Sequence, residues 1–342
     1  MAQVTMEEKF KRAADVVCKQ GMYQFPVSDT AIGLIVSVVG NNEEELDLIY
    51  AFREKPSQTM DQLVESSGLS EDIVDRLTTR LAKKGLIFNQ PSSTGIIVYR
   101  LLPLMMVGLM EYKFMGELTG SQEEKKLASL FEKLLEELRD QIQDNYGTFS
   151  TLFNNIPALD RTISSSHTED GKPIKFIPVD KALDVPEEFV LPSQTVEDVI
   201  NKFDDIAVGY CFCRQRRSLL GDACNTDAPT LNCFTFGKSA RHIAAQGFGK
   251  KVSKEKALKI MKEAEQAGLI HKAFHPGSRE ASLETSICNC CKDCCDILTL
   301  WRNGTLPLIN STYHLSVIDQ ESCTGCGICV ERCPTDAITL NE

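Results

Sequence analysis

The stretch Cys323-Thr324-Gly325-Cys326-Gly327-Ile328-Cys329-Val330-Glu331-Arg332-Cys333-Pro334 decides the reading of this chain. Its C-x2-C-x2-C-x3-C-P spacing lets three thiolates hold one 4Fe-4S cube and sends the fourth toward a second cluster. Gly325 and Gly327 permit the tight backbone that aims amide groups at cluster sulfurs, and Pro334 fixes the way out of the loop. Zinc is the competing occupant. It fits less well, because zinc sites usually take cysteine pairs separated by a longer spacer.

A two-cluster arrangement needs a second cysteine block, and Ile287-Cys288-Asn289-Cys290-Cys291-Lys292-Asp293-Cys294-Cys295 supplies one. Cys288, Cys291 and Cys294 repeat the C-x2-C-x2-C spacing. Both blocks sit between a β-like lead-in (282–287 and 315–318) and a helix-like exit, which resembles the pseudo-twofold ferredoxin fold. No Cys-Pro follows Cys294, so either Cys290 or Cys295 is the remaining ligand, or the geometry differs. Cys333 is expected to serve the cluster of the 288–295 block, while a cysteine of that block completes the terminal cube. The vicinal pairs Cys290-Cys291 and Cys294-Cys295 leave three readings open: ordinary cluster ligation, a less usual cluster, or a redox-active dithiol. Thiolate density favours iron–sulfur chemistry.

Cys211, Cys213, Cys224 and Cys233 form a third group, spaced C-x-C-x10-C-x8-C, with four thiolates for a further 4Fe-4S cluster; structural zinc is the alternative. Arg214, Arg216 and Arg217 adjoin it, and cations near a cluster stabilise its reduced form and raise its potential. The expected complement is two to three 4Fe-4S clusters per chain, held by iron–thiolate bonds from these cysteines.

Composition bounds the rest. Among 342 residues, 42% are hydrophobic and 25% charged, as in ordinary globular proteins. The apolar stretch 30–40 is too short to span a bilayer and the stretch 96–110 is interrupted by Arg100, so no membrane span is expected. The first residues, with Glu7, Glu8, Lys9, Lys11 and Arg12, lack a secretory h-region, so the expected location is cytoplasmic. In that compartment fourteen cysteines, thirteen of them between 211 and 333, read as metal ligands rather than disulfides. The lone early cysteine, Cys18, reads as a small buried hydrophobe. The net charge of −11 argues against a nucleic-acid partner. Residues 281–342 carry eight acidic and three basic side chains, a net of −5 suited to a basic docking patch on a partner. His167, His242, His271, His275 and His314 form no metal-spaced pair, and there is no phosphate-cradling loop or nucleophile elbow.

The chain divides by pattern into a helical arm (1–42), a module reading helix, helix, helix, hairpin (43–110), an amphipathic helical segment (111–153), a Pro-rich linker or wrapping segment (154–192), a Cys-x-Cys iron–sulfur domain (193–280) and a two-cluster domain (281–342). In the second unit, Thr59 and Gln62 match a capping box and Ser70 caps the third helix, which carries Ile73, Val74, Leu77 and Leu81 at helical spacing. Leu127, Leu130, Phe131, Leu134, Leu135, Leu138 and Ile142 form an apolar stripe suited to packing or a dimer seam, so a homo-oligomer is open. Helices are expected at 196–203, 238–246 and 253–267 and a strand at 206–210, delivering Cys211 and Cys213 onto a loop.

The 43–110 order resembles a winged helix-turn-helix. Together with the Cys211 group, the Cys-Asn-Cys-Cys block and the terminal motif, it resembles the multidomain 4Fe-4S ferredoxin-type iron–sulfur proteins of anaerobic bacteria and archaea. The fold class is then α+β multidomain: a mostly α N-terminal half with a winged-helix-like module, and a C-terminal two-cluster ferredoxin-like domain. The resemblance implies low-potential electron transfer in anaerobic metabolism, between a donor and a partner oxidoreductase or flavoprotein. Two other functions compete: a redox-sensing regulator that touches DNA through Arg76, Arg80 and Lys83, and a reductase using the vicinal cysteines at a special cluster. Residues 43–110 carry ten acidic and seven basic side chains, which disfavours the regulator.

Overall fold

A computed structural model of the chain describes residues 4–21, 23–92, 94–153, 160–165, 195–274, 284–306 and 317–340. It is mixed helix and sheet. The expected 154–192 linker lies almost wholly outside the described residues, as do His167, His275, His314 and part of each β-like lead-in.

The N-terminal half is built from α1 (Met6–Cys18), α2 (Asp29–Val39), α3 (Glu43–Ala51), α4 (Met60–Ser67) and α5 (Glu71–Lys83), with short strands β1 (Ser57–Gln58), β2 (Ile87–Phe88) and β3 (Tyr99–Leu101) in the antiparallel order β1-β3-β2. The starts follow the local chemistry. Thr5, Ser28 and Asn42 each accept a backbone N–H of the first turn, and the Thr59 N–H donates to Gln62 Oε1 at 3.0 Å. The hairpin's second strand, expected at 96–99, begins three residues later, at Tyr99, with Ile97 only bridging Pro91.

After α6 (Leu109–Met115) comes α7 (Gln122–Asp144), which buries Leu127, Phe131, Leu134, Leu135, Leu138 and Ile142 within the chain's own core. Each such burial contributes roughly 1.5–3 kcal/mol. Glu137 on α7 accepts from Ser28 Oγ at 2.6 Å and Thr30 Oγ1 at 2.5 Å, tying α7 to the start of α2. A short helix, α8 (Tyr146–Phe153), follows. No helix among the described residues is long and apolar enough to cross a membrane.

The C-terminal half is organised by a six-stranded antiparallel sheet in the order β4-β8-β9-β6-β5-β7, formed by β4 (Asp160–Ile163), β5 (Ile206–Tyr210), β6 (Leu231–Phe236), β7 (Lys250–Lys251), β8 (Ile270–Phe274) and β9 (Ser286–Cys290). Its helices are α9 (Val196–Asn201), α10 (Phe212–Leu219), α11 (Gly237–Gln246), α12 (Lys254–Gln266), α13 (Asp296–Arg302) and α14 (Ile328–Arg332). The sheet therefore runs across the boundary expected at 280, because β9 is hydrogen-bonded between β6 and β8.

Alternation along the strands sorts the two faces. Ile206, Val208, Phe234, Phe236, Ala273 and Ile287 pack under α9 and α12, while Cys233 and Cys290 turn toward the main core with side chains of α6, α10 and α13. Backbone approach is close where α6 crosses β5: a Cβ on Gly209 would lie 3.0 Å from the Phe248 carbonyl oxygen and 3.1 Å from that of Met115, so only glycine fits.

His242 on α11 is fully buried against Phe88 and Tyr112, with ring centroids 4.6 and 5.4 Å away, and among the described residues neither ring nitrogen has a partner. Burial, aided by the Arg100 charge, lowers its pKa from 6.5 to about 4. The unfolded chain thus binds the proton more readily. The stability this residue contributes is whole above pH 6.5 and is lost as pH falls toward 4, by about 3 kcal/mol in all. His242→Phe should flatten that acid-side slope in urea titrations at pH 5 to 7; an unchanged slope would show that other groups carry it.

Candidate metal centre

The fourteen cysteines are free thiols. Cys18 closes α1 in the N-terminal core, where burial pushes its thiol up to about 12. The nine between 211 and 295, read as two groups in the sequence, are brought together.

Sheet geometry does most of this. In the β6–β9 pairing Thr235 lies opposite Ser286 and Phe234 opposite Ile287, so the next step sets Cys233 against Cys288 on the same face. Their thiols hydrogen-bond, and that contact, with burial, raises Cys288 well above the ordinary thiol value. Cys290 follows two residues on, on the same face. Cys211 is the N-cap of α10 and Cys213 lies in its first turn, so the expected loop is a helix start. Cys295 is the N-cap of α13. Cys211, Cys213, Cys233, Cys288, Cys290, Cys291 and Cys295 line one pocket.

The thiols in this inner group poise one another. Cys213 and Cys290 donate to Cys295, and with the N–H groups of Ile297 and Leu298 they hold it well below the usual thiol range. Cys213 is raised first by its own burial, and Cys290 first by its bond to Cys295. Lys272, opposite Cys288 in the β8–β9 register, is buried and ion-paired with Asp160. Nothing in the sequence marked that lysine, since only the register places it.

A second, outer trio is formed by Cys224, Cys291 and Cys294. Their sulfurs lie within 4.8 Å of one another, Cys291–Cys294 at 3.3 Å and Cys224–Cys291 at 3.6 Å. Cys291 receives the Cys294 thiol and, at 3.3 Å, the Cys294 N–H, and it is held at about 5 despite its burial. The Asn225 N–H donates to Asp293 Oδ2 at 2.7 Å, fastening the loop of Cys224 over the turn of Cys291 and Cys294.

Of the three arginines that the sequence places near the thiols, only Arg214 faces them. Burial works against its charge, but the thiolates of Cys211, Cys291 and Cys224 more than offset this and raise its pKa. Its Nη1 donates to the Ala228 and Pro229 carbonyls at 3.1 and 2.7 Å, and the guanidinium also hydrogen-bonds Cys291. Arg216 is committed to Asp296 and Glu132, and Arg217 to Asp222 at 3.0 Å.

The terminal cysteines stand apart from both groups. Cys323, Cys326 and Cys329 are exposed and Cys333 is half-buried. Gly325 and Gly327 take left-handed φ values of 67° and 77°, as a tight sulfur-facing loop requires. Backbone N–H groups, that of Ile328 foremost, lower Cys326. Cys333 Sγ accepts the Ala337 N–H at 3.3 Å and lies 3.6 Å from Thr335 Oγ1. The 288–295 thiols pair instead with Cys213, Cys224 and Cys233. The pairing expected between the 288–295 block and the terminal motif is therefore not what these contacts show. Burying Ile287 commits Cys288 and Cys290 to a sheet face, and a strand cannot also wrap a ferredoxin loop.

The terminal segment does dock on the outer trio. Lys292, inside the Cys291–Cys294 turn, pairs with Asp336 at 2.5 Å, and Arg332 packs where a Cβ on Gly268 would lie, its Nε 3.3 Å away. Dense thiols, a buried cation beside them and N–H···S contacts suit iron–sulfur clusters or thiolate-bound metal ions.

No curated protein and no solved structure matches the chain. A family model described as a 4Fe-4S binding domain matches residues 316–339, so the terminal motif lies in a ferredoxin-type 4Fe-4S binding domain and the chain is read as an iron–sulfur protein.

Proposed function

We propose that the chain passes low-potential electrons, in anaerobic metabolism, from a donor to a partner oxidoreductase or flavoprotein through two clusters. One is the exposed terminal cube at Cys323, Cys326, Cys329 and Cys333. The other is held by the inner group on the sheet face, from among Cys211, Cys213, Cys233, Cys288, Cys290 and Cys295. The single observation that carries this reading is the docking of the terminal segment, through Lys292 and Asp336, on the turn that adjoins the inner pocket. Clusters supply one-electron carriage, and the protein's part is to hold them near one another and to exclude water from the inner one.

Exposure of the terminal thiols suits electron exchange with a partner, and the acidic 281–342 segment suits a basic docking patch. The 43–110 unit, on this reading a winged-helix-like module, serves docking rather than DNA. Two of its basic candidates are already paired, Arg76 with Glu44 at 2.9 Å and Arg80 with Glu45 at 3.0 Å. Iron and sulfide counts with EPR on anaerobically purified protein test the proposal. About eight irons per chain and two S = 1/2 signals on reduction are expected for two cubes; four or fewer would sink it.

One observation favours the reductase reading as a second possibility. A pocket beside Cys233 and Cys288 is roofed by Met106, Val107 and Glu111, and the Tyr112 hydroxyl and Thr235 Oγ1 in its wall lack partners among the described residues. Met106 and Val107 both hold φ at 65°, a conformation that side-chain-bearing residues rarely adopt and that is most strained for the β-branched Val107, and the Glu111 carboxylate braces it by accepting the N–H groups of Met106 and Gly108.

A further inference from the structure

The outer trio differs in kind from the other thiols. A tetrahedral ion with metal–sulfur bonds of about 2.3 Å sets its sulfurs about 3.8 Å apart. Thiolates of a 4Fe-4S cube bind different irons and stand farther apart than that. The trio is compact on that scale: all three sulfurs lie within 4.8 Å of one another, two pairs at thiol hydrogen-bond distances of 3.3 and 3.6 Å, close enough to converge on one ion.

We propose that Cys224, Cys291 and Cys294 bind a single zinc ion, separate from the iron–sulfur clusters, with the fourth position taken by solvent. Among the described residues no fourth metal-binding side chain joins the compact group. Cys224 is only half-buried, which leaves a side open to water.

Charge supports the choice. Three thiolates and Zn²⁺ sum to −1, and a buried site must compensate that charge. Arg214, 4% exposed and, among the described residues, with no carboxylate hydrogen-bonded to it, supplies +1 beside Cys291 and Cys224 as well as the inner Cys211. Soft thiolates and a tetrahedral preference select zinc over magnesium, calcium or manganese. Binding replaces three S–H protons with metal–sulfur bonds and involves no redox change.

The place of the site gives it a task. Cys224 lies in the α10–β6 connection, 67 residues before Cys291. An ion there would staple that connection to the β9–α13 turn, whose Lys292 holds Asp336 of the terminal domain. It would thus set the terminal cube's position against the inner pocket without carrying electrons.

The test is elemental analysis and zinc K-edge absorption spectroscopy on the full chain purified anaerobically and passed over a chelating resin. About one zinc per chain is expected beside the iron, with three sulfur scatterers near about 2.3 Å and one lighter atom. Cys224→Ser should lower zinc at least tenfold after the same resin while iron and sulfide per chain stay unchanged. Absence of zinc in the wild-type protein, a four-sulfur zinc shell, or iron lost in step with Cys224 would each overturn the proposal. The wild-type spectrum stands even if the variant fails to fold. Zinc and iron are read on one sample, so failure of the two-cluster reading is a separate result.

Discussion

Arg216→Ala is expected to destabilise the protein by about 3–5 kcal/mol, the usual cost of breaking a buried ion pair from one side. Arg216 is fully buried on α10. Its Nη2 donates to Asp296 Oδ1 at 2.5 Å, its Nε reaches Asp296 Oδ2 at 3.3 Å, and its Nη1 donates to Glu132 on α7. Removing it strands the carboxylate of Asp296, itself 2% exposed, in the core. Against a total stability of about 5–15 kcal/mol, that loss is a large fraction. It also bears on the metal centre, because α10 carries Cys213 and α13 begins after Cys295. Urea unfolding followed by circular dichroism checks the first effect, and iron content the second. Arg216→Met combined with Asp296→Asn should recover more than half of the loss, since neither then leaves a buried charge. A cost below about 1 kcal/mol for Arg216→Ala would show that the pair is relaxed by water.

The second large effect is expected from Cys233→Ser combined with Cys288→Ser, which removes the facing thiols from the sheet. About four irons per chain should be lost, with the terminal cube's signal on reduction retained. A double change is the sharper test, because seven thiols line the inner pocket and one missing ligand could be replaced by a neighbour. Cys326→Ser should give the converse: terminal signal lost, inner iron kept. Both sites lost together in either variant would mean one shared centre, while full iron in the double variant would place the inner cluster elsewhere.

Much of the local structure was legible because it rests on local rules. The β5 strand occupies the expected residues, and the helix expected at 253–267 is α12, with Ser253 as its N-cap. The α7 stripe became buried core, as a continuous 3.6-residue period requires. The 288–295 block was harder. Its C-x2-C-x2-C spacing matched a cluster loop, while Ser286-Ile287-Cys288-Asn289-Cys290 also reads as an alternating strand. The strand prevailed because Ile287 is fully buried against the core under α9 and α12 and the segment completes hydrogen bonds on both edges.

By itself, the sequence determined the thiol-rich composition, the helix caps and the terminal motif, whose residues 316–339 match a 4Fe-4S binding domain. All of these depend on neighbours within a few positions. Which sulfur meets which was settled only by the tertiary structure. Cys233 faces Cys288 through a sheet register, and Cys224 meets Cys291 through an Asn225–Asp293 hydrogen bond and a loop held by Arg214. Such contacts cross 55 to 67 residues and follow from burying one face of the sheet, a property of the whole core that spacing along the chain does not encode.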